Sequence, residues 1–152
     1  KRVYQAIVFG LTTAGGTVNE PLGRHPVHRT KRAVSHGADT RDAVTHYRII
    51  DKFRSHSLLQ CELETGRTHQ IRVHMAFVGY PLVGDPLYGG RPRIPKGADP
   101  QLISSLEDFK RQALHAWQLG LDHPETGEPM SWQVDLPEDM QRLLKLLEAD
   151  NV

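Results

Sequence analysis

A change of hydrophobic period near the middle of the chain constrains its fold more than any other feature. Over His56–Glu64, Leu59, Cys61 and Leu63 alternate with Gln60, Glu62 and Glu64, the period of two of a strand with one buried face. Beyond Thr65-Gly66-Arg67 the spacing of Ile71, Met75 and Val78 is helical, giving one apolar stripe. Thr68 stands where it caps a helix from His69 to about Val78. Gly79, with Pro81 just beyond, supplies the stop. A strand must therefore turn sharply into a helix, and Arg67, His69 and Arg72 sit at that junction. Free N–H groups at a helix start favour an anion, and a guanidinium holds phosphate or carboxylate with two parallel hydrogen bonds. His69 and Arg72, three apart, lie on neighbouring parts of one face. The same side chains serve equally well as a structural ion pair closing the helix onto the sheet.

The remaining elements follow by the same rules. Val3–Phe9, Ala43–Asp51 and His56–Glu64 read as strands, and Gly15-Gly16 as a turn. Gly23–Thr40 is polar, basic and aperiodic, so it reads as a long loop, a kind of segment that is usually functional or disordered. Pro81–Pro100 is rich in Gly and Pro, and a helix is expected from about Leu102 to Arg111. Leu114–Leu121 and Met130–Asp135 form a hairpin across His123-Pro124-Glu125-Thr126-Gly127. Pro137 opens a last helix with Glu138 and Asp139 in its first turn and an apolar stripe of Met140, Leu143, Leu144 and Leu147. Strands joined by hairpins, with interspersed helices, imply a single α+β domain with a largely antiparallel sheet.

Charge is unevenly spread. Arg24–Arg54 carries eight basic against three acidic residues plus four histidines, whereas Gly120–Val152 carries two basic against eight acidic. Such asymmetry marks a polyanion-binding face or a merely solvated loop. No apolar run approaches the roughly 20 residues that cross a bilayer, and Lys1–Gly10 reads as a strand rather than a leader. With Cys61 as its one cysteine, the chain has no internal disulfide and no multi-cysteine zinc site, which suits a reducing cytoplasmic compartment. Starting inside a strand without methionine, it is expected to continue upstream.

Thr65-Gly66-Arg67-Thr68-His69-Gln70-Ile71-Arg72-Val73-His74 resembles the central motif of the pseudouridine synthases grouped with ribosomal synthases A, C and D. The likeness extends through Pro81–Gly90 (PLVGDPLYGG) and Arg111–Ala116 (RQALHA). It also takes in Lys1–Ala6 (KRVYQA), Pro21–Pro26 (PLGRHP) and Val44–Arg48 (VTHYR), in the family's order. The resemblance implies a mixed, largely antiparallel sheet flanked by helices with an RNA-binding cleft. It further implies isomerisation of uridine to pseudouridine in large-subunit (23S) ribosomal RNA, in the loop of helix 69, by a monomer without cofactor or metal.

On that resemblance, Tyr4 lies against the target uracil and assists proton removal from its C5. Arg72 pairs with the catalytic aspartate, and Leu82 walls the base pocket. Arg24, His25, Arg29, Lys31, Arg67, Thr68, His69 and Gln70 bind the RNA, with Arg91 and Arg93 adding grip on its phosphates. One departure stands out: the family's aspartate lies in a His/Gly-Arg-Leu-Asp motif, and no Arg-Leu-Asp occurs here. Gly120-Leu121-Asp122 belongs to the hairpin. The aspartate segment and an N-terminal RNA-binding domain are thus expected upstream, and this stretch alone is expected to be inactive. Two other readings stand beside this one: a non-catalytic RNA-binding module of the same fold, and a metal-dependent hydrolase. The nine histidines prompt the latter, but His69 and His74 are five apart and share no helix face.

Overall fold

The computed structural model describes residues 2–12 and 14–150. β1 (Arg2–Phe9) places Ala6 and Val8 on one face and Val3, Gln5 and Ile7 on the other, all buried. A strand apolar on both faces belongs in a sheet's interior. β1 accordingly lies between β6 (His56–Leu63) and β7 (Leu114–Asp122) in a six-stranded sheet. β5 (Val44–Lys52) and β2 (Gly16–Asn19) extend it on one side, and β8 (Pro129–Gln133) on the other. Every neighbouring pair is antiparallel.

Helices cover both faces. Ile7 and Leu58 pack against Leu102 and Leu106 of α2 (Pro100–Asp108) and Met140, Leu143 and Leu147 of α3 (Glu138–Asp150). Ala6, Val8, Leu59 and Cys61 pack against Ile71 and Met75 of α1 (Gln70–Phe77), with Leu82 from the following loop. The α+β class, the hairpin β7–β8 and the strand–turn–helix unit are as the sequence indicates.

Four local expectations are corrected. The first is Gly15-Gly16, which does not turn the chain but enters β2. A Cβ on Gly15 would stand 2.5 Å from the Tyr47 carbonyl, so glycine answers to close backbone approach. In the second, the long basic loop carries a two-stranded ribbon, β3 (Leu22–Arg24) with β4 (Arg32–Val34), whose three-residue strands are too short to show a period. Finally, α1 begins one residue late, with His69 at its N-cap in the left-handed region (φ 58°) and no side-chain cap from Thr68. Gln70 turns back instead: its Oε1 accepts from the Arg67 N–H and the Thr65 hydroxyl. Likewise α2 starts at Pro100, capped by Asp99 onto the Gln101 N–H, and stops at Asp108, where Phe109 becomes extended and buried.

Residues 81–90 are stitched to β1. Phe9 N–H donates to the Pro81 carbonyl, Val83 N–H to Ile7, and Ala113 N–H to Val83. Gly84 makes this fit possible. Its φ is +73°, and a Cβ there would lie 2.2 Å from the Arg111 carbonyl oxygen. Gly79, at φ +94°, has nothing within 4 Å of its would-be Cβ. Gly84→Ala is therefore expected to cost roughly 2–6 kcal/mol, as left-handed strain and overpacking combine. Gly79→Ala should cost only about 1–2 kcal/mol. Urea unfolding of the two variants decides it, and equal losses would refute the close-approach account.

Candidate active site

Arg72 lies in the first turn of α1 but points into the protein, where Asp85 meets it. Its Nε donates to Oδ2 and its Nη2 to Oδ1 of Asp85, both at 2.8 Å. The two side chains are 9% and 0% exposed, so this is a buried fork-to-carboxylate pair. Asp85 Oδ1 also accepts from the N–H groups of Leu87 (3.0 Å) and Tyr88 (3.1 Å), an Asx turn. Burial pushes the Asp85 carboxyl up, but the Arg72 and backbone hydrogen bonds outweigh it and hold it below the usual range. Arg72 is raised by its hydrogen bonds to Asp85, so the pair is ionised. Nη1 of Arg72 has no hydrogen-bond partner among the described residues.

Tyr88 joins this pair to the helix start. The Arg72 guanidinium lies 5.1 Å from its ring centroid, a cation–π contact. The Tyr88 hydroxyl accepts from the Arg32 N–H at 2.9 Å and bonds His69 Nδ1 at 2.8 Å. The hydroxyl thus bridges the basic ribbon and the start of the helix. Burial lowers the His69 pKa, as does the nearby Arg72 charge, while Asp85 opposes them. His69 and Arg72, expected to be neighbours, thus converge on one tyrosine.

The other expected residues fall into separate groups. Tyr4 and Leu82 belong to the cluster that contains Ile71, next to Arg72, and Leu82 is 2% exposed. Arg24, Arg67 and Thr68, with Arg32 and Arg41, line a cleft of about 470 Å³, where Asp39 is the one acid. Arg67 is steadied there by its Nε donating to the Asp42 carbonyl. His25, Arg29 and Lys31 occupy the β3–β4 turn, where His25 Nδ1 accepts from the N–H groups of Val27 and His28. Gln70 is buried, and its amide makes four hydrogen bonds, with Thr65, Arg67, Val44 and Thr45. None remains for RNA; its work is to fasten α1 to β5. Cys61 is buried with its thiol pushed up to about 12 by desolvation, so it is no nucleophile. Among the described residues no cluster of His, Cys, Asp or Glu could hold a metal ion, and no helix is long and apolar enough to cross a membrane.

Asp85 and Tyr88 fall within the Pro81–Gly90 stretch of the family likeness, but the sequence assigns neither a role. The available signal is an Asp followed two and three residues on by N–H groups it can cap. Nothing local says that the same carboxylate also takes an arginine 13 positions upstream.

Residues 1–77, from the Tyr4 strand through the Arg72 helix, match the model of the RNA pseudouridylate synthase family. The chain belongs to that family. It is 56% identical over 149 residues to the ribosomal large subunit pseudouridine synthase D of Pseudomonas aeruginosa, covering 98% of this chain and 46% of that one. Its counterpart of the same name in Escherichia coli K12 is also 56% identical, with 98% and 45% covered. The chain therefore spans less than half the length of these curated relatives. Among solved structures, the human RNA pseudouridylate synthase domain containing 4 aligns with TM-score 0.73 at 24% identity, over 97% of this chain and 62% of that one. Human RNA pseudouridylate synthase domain containing 1 aligns at 0.68 and 20%, over 97% and 65%. Both share the fold.

Asp85→Asn would leave the Arg72 charge buried without its partner, at a cost of roughly 3–5 kcal/mol. Because the Asp85 pKa is depressed on folding, its stabilisation is complete above the unfolded value of about 3.9 and is lost as pH falls through the folded one. Unfolding between pH 7 and pH 2 should show that acid limb in the parent and a shallower one in the variant. Parallel curves would refute the pair's role.

Proposed function

We propose that the protein to which this chain belongs converts uridines to pseudouridine in large-subunit ribosomal RNA, in the loop of helix 69. Membership of the family and the names of its relatives support the reaction and the RNA class. The observation that carries the mechanism is the half-occupied guanidinium of Arg72. Asp85 takes Nε and one Nη2 hydrogen, which leaves Nη1 and the outer Nη2 hydrogen for a second carboxylate.

The reaction breaks the N1–C1′ bond of uridine, turns the base and forms a C5–C1′ bond, with the proton of C5 released and one taken up at N1. It transfers no group and changes no oxidation state, so it calls for no cofactor or metal. It needs a carboxylate beside C1′, an ion-pairing donor and walls for the detached base. We place that carboxylate in the part of the relatives' length that this chain does not span, within reach of Arg72. Since Asp85 already balances the arginine's charge, Arg72 orients the nucleophile through directed hydrogen bonds more than through net charge. Tyr4 and Leu82 face the base, which must be unstacked to be reached. The arginine-lined cleft takes phosphates, and binding there should weaken steeply with salt. The protein acts as a monomer in the cytoplasm.

Tritium placed on uracil C5 of ribosomal RNA reports the reaction directly. The full-length protein should release it, and Arg72→Ala should lower the rate by about 10²–10³-fold, the loss typical of a directed electrostatic donor. RNA binding with no release from the full-length protein would replace this reading with a non-catalytic RNA-binding module.

A further inference from the structure

β1 presents a second site. Tyr4 shares the sheet face of Ala6 and Val8, which α1 covers. Phe9 lies five residues on and on the face of Ile7, covered by α2 and α3. At about 3.3 Å per residue, the two rings are separated by roughly 16 Å along the strand and by the sheet itself. Phe9 borders a cavity of about 180 Å³ whose lining shares Leu82 and Asp85 with the site described above and is otherwise made of other residues.

Its construction is specific. The floor is apolar, made by Phe9, Leu82, Leu106 and Phe109, and His56 stands among them. His56 is 1% exposed, and its Nδ1 has no hydrogen-bond partner among the described residues. Buried polar groups left this way are uncommon and call for a partner. Desolvation lowers this imidazole to about 4, so it is neutral, with one donor and one acceptor to offer. The Phe9 and His56 rings meet edge to face at 5.3 Å. The rim carries Arg91, Arg93 and Lys110, all exposed, with the Arg93 guanidinium 5.0 Å from the Phe9 ring centroid. Of the two acids nearby, Asp85 is taken by Arg72, which leaves Glu107. A cavity smaller than a drug-sized pocket, with an aromatic wall, a lone buried imidazole and a cationic rim, fits a heterocycle carrying a phosphate.

We propose that this cavity is a second nucleotide site, which takes the base of an RNA nucleotide away from the reacting uridine, its phosphate resting on Arg91, Arg93 and Lys110. The proposal rests on RNA being the substrate, and adds an anchor on the far face of the sheet. Such an anchor fixes which stretch of RNA is presented to Tyr4 without touching the reacting base.

The test uses the full-length protein and adenosine and uridine monophosphates, with inorganic phosphate as the control. Nuclear magnetic resonance should show saturable shifts at the His56 ring and Phe9 with the nucleotides and much smaller ones with phosphate. Arg91→Glu/Arg93→Glu should abolish them, and Tyr4→Phe, on the other face of β1, should leave them intact. The same double variant should raise KM for tritium release about tenfold with kcat kept. Its plot of log affinity for single-stranded RNA against log salt should be shallower by about 0.7 for each phosphate that is no longer neutralised. Equal shifts with phosphate alone would reduce the site to an anion site and overturn the proposal. So would the absence of shifts at His56, as when another segment of the protein fills the cavity. Should the parent release no tritium while the His56 shifts occur, the isomerase reading fails and the nucleotide site stands.

Discussion

The buried Arg72–Asp85 pair governs the geometry of the candidate site. Taking both charges out of water costs several kcal/mol per ion, and their attraction offsets this only with good geometry and further hydrogen bonds. Both conditions hold here: two parallel 2.8 Å bonds, with two backbone N–H groups also donating to Asp85 Oδ1. An apolar pair of similar volume would serve stability as well. What it would not supply is a guanidinium held in one plane, with one edge engaged and the other open. Through Tyr88 the same plane fixes His69 at the helix start and Arg32 on the basic ribbon. The arginine-lined cleft and the open edge of the guanidinium are thereby tied to one ion pair.

A chain of neutral polar groups holds the helix that carries Arg72. Gln70 Nε2 donates to the Thr45 hydroxyl, which bonds His74 Nδ1, and His74 Nε2 donates to the Glu20 carbonyl. Burial lowers the His74 pKa, against the pull of Glu20, so the imidazole stays neutral and supplies one donor and one acceptor. Each link is satisfied at both ends, the condition under which a buried polar network specifies an arrangement rather than weakening it. The network ties α1 to β5 and to the end of β2, while Ile71 and Met75 provide the apolar contact with the sheet. Orientation comes from the polar chain, and adhesion from the apolar stripe.

The sheet is legible in the sequence because its signals are local. Alternation in β6, the turn residues between β7 and β8 and the stripe of α3 each declare themselves within a dozen residues. The site is legible only in part. Arg72, Arg67 and His69 can be placed at a helix start, because that start is written in the same ten residues. Asp85 and Tyr88 cannot, because their role depends on residues 81–90 being stitched to β1, a long-range fact. Gln70 shows the converse: its surroundings suggest RNA contact, while tertiary packing turns it inward. His56 cannot be singled out either, since a histidine in a strand gives no sign that its ring nitrogen will go unpartnered.

The central claim is that Arg72, held by Asp85 on one edge, offers its other edge to the catalytic carboxylate. A high-resolution crystal structure of the full-length protein tests it most directly. The account predicts a second carboxylate within about 3 Å of Arg72 Nη1, the distance of a charge-assisted hydrogen bond, with Asp85 still bound to Nε and Nη2. An Nη1 that meets solvent or a backbone carbonyl, with every other carboxylate out of reach, would contradict it.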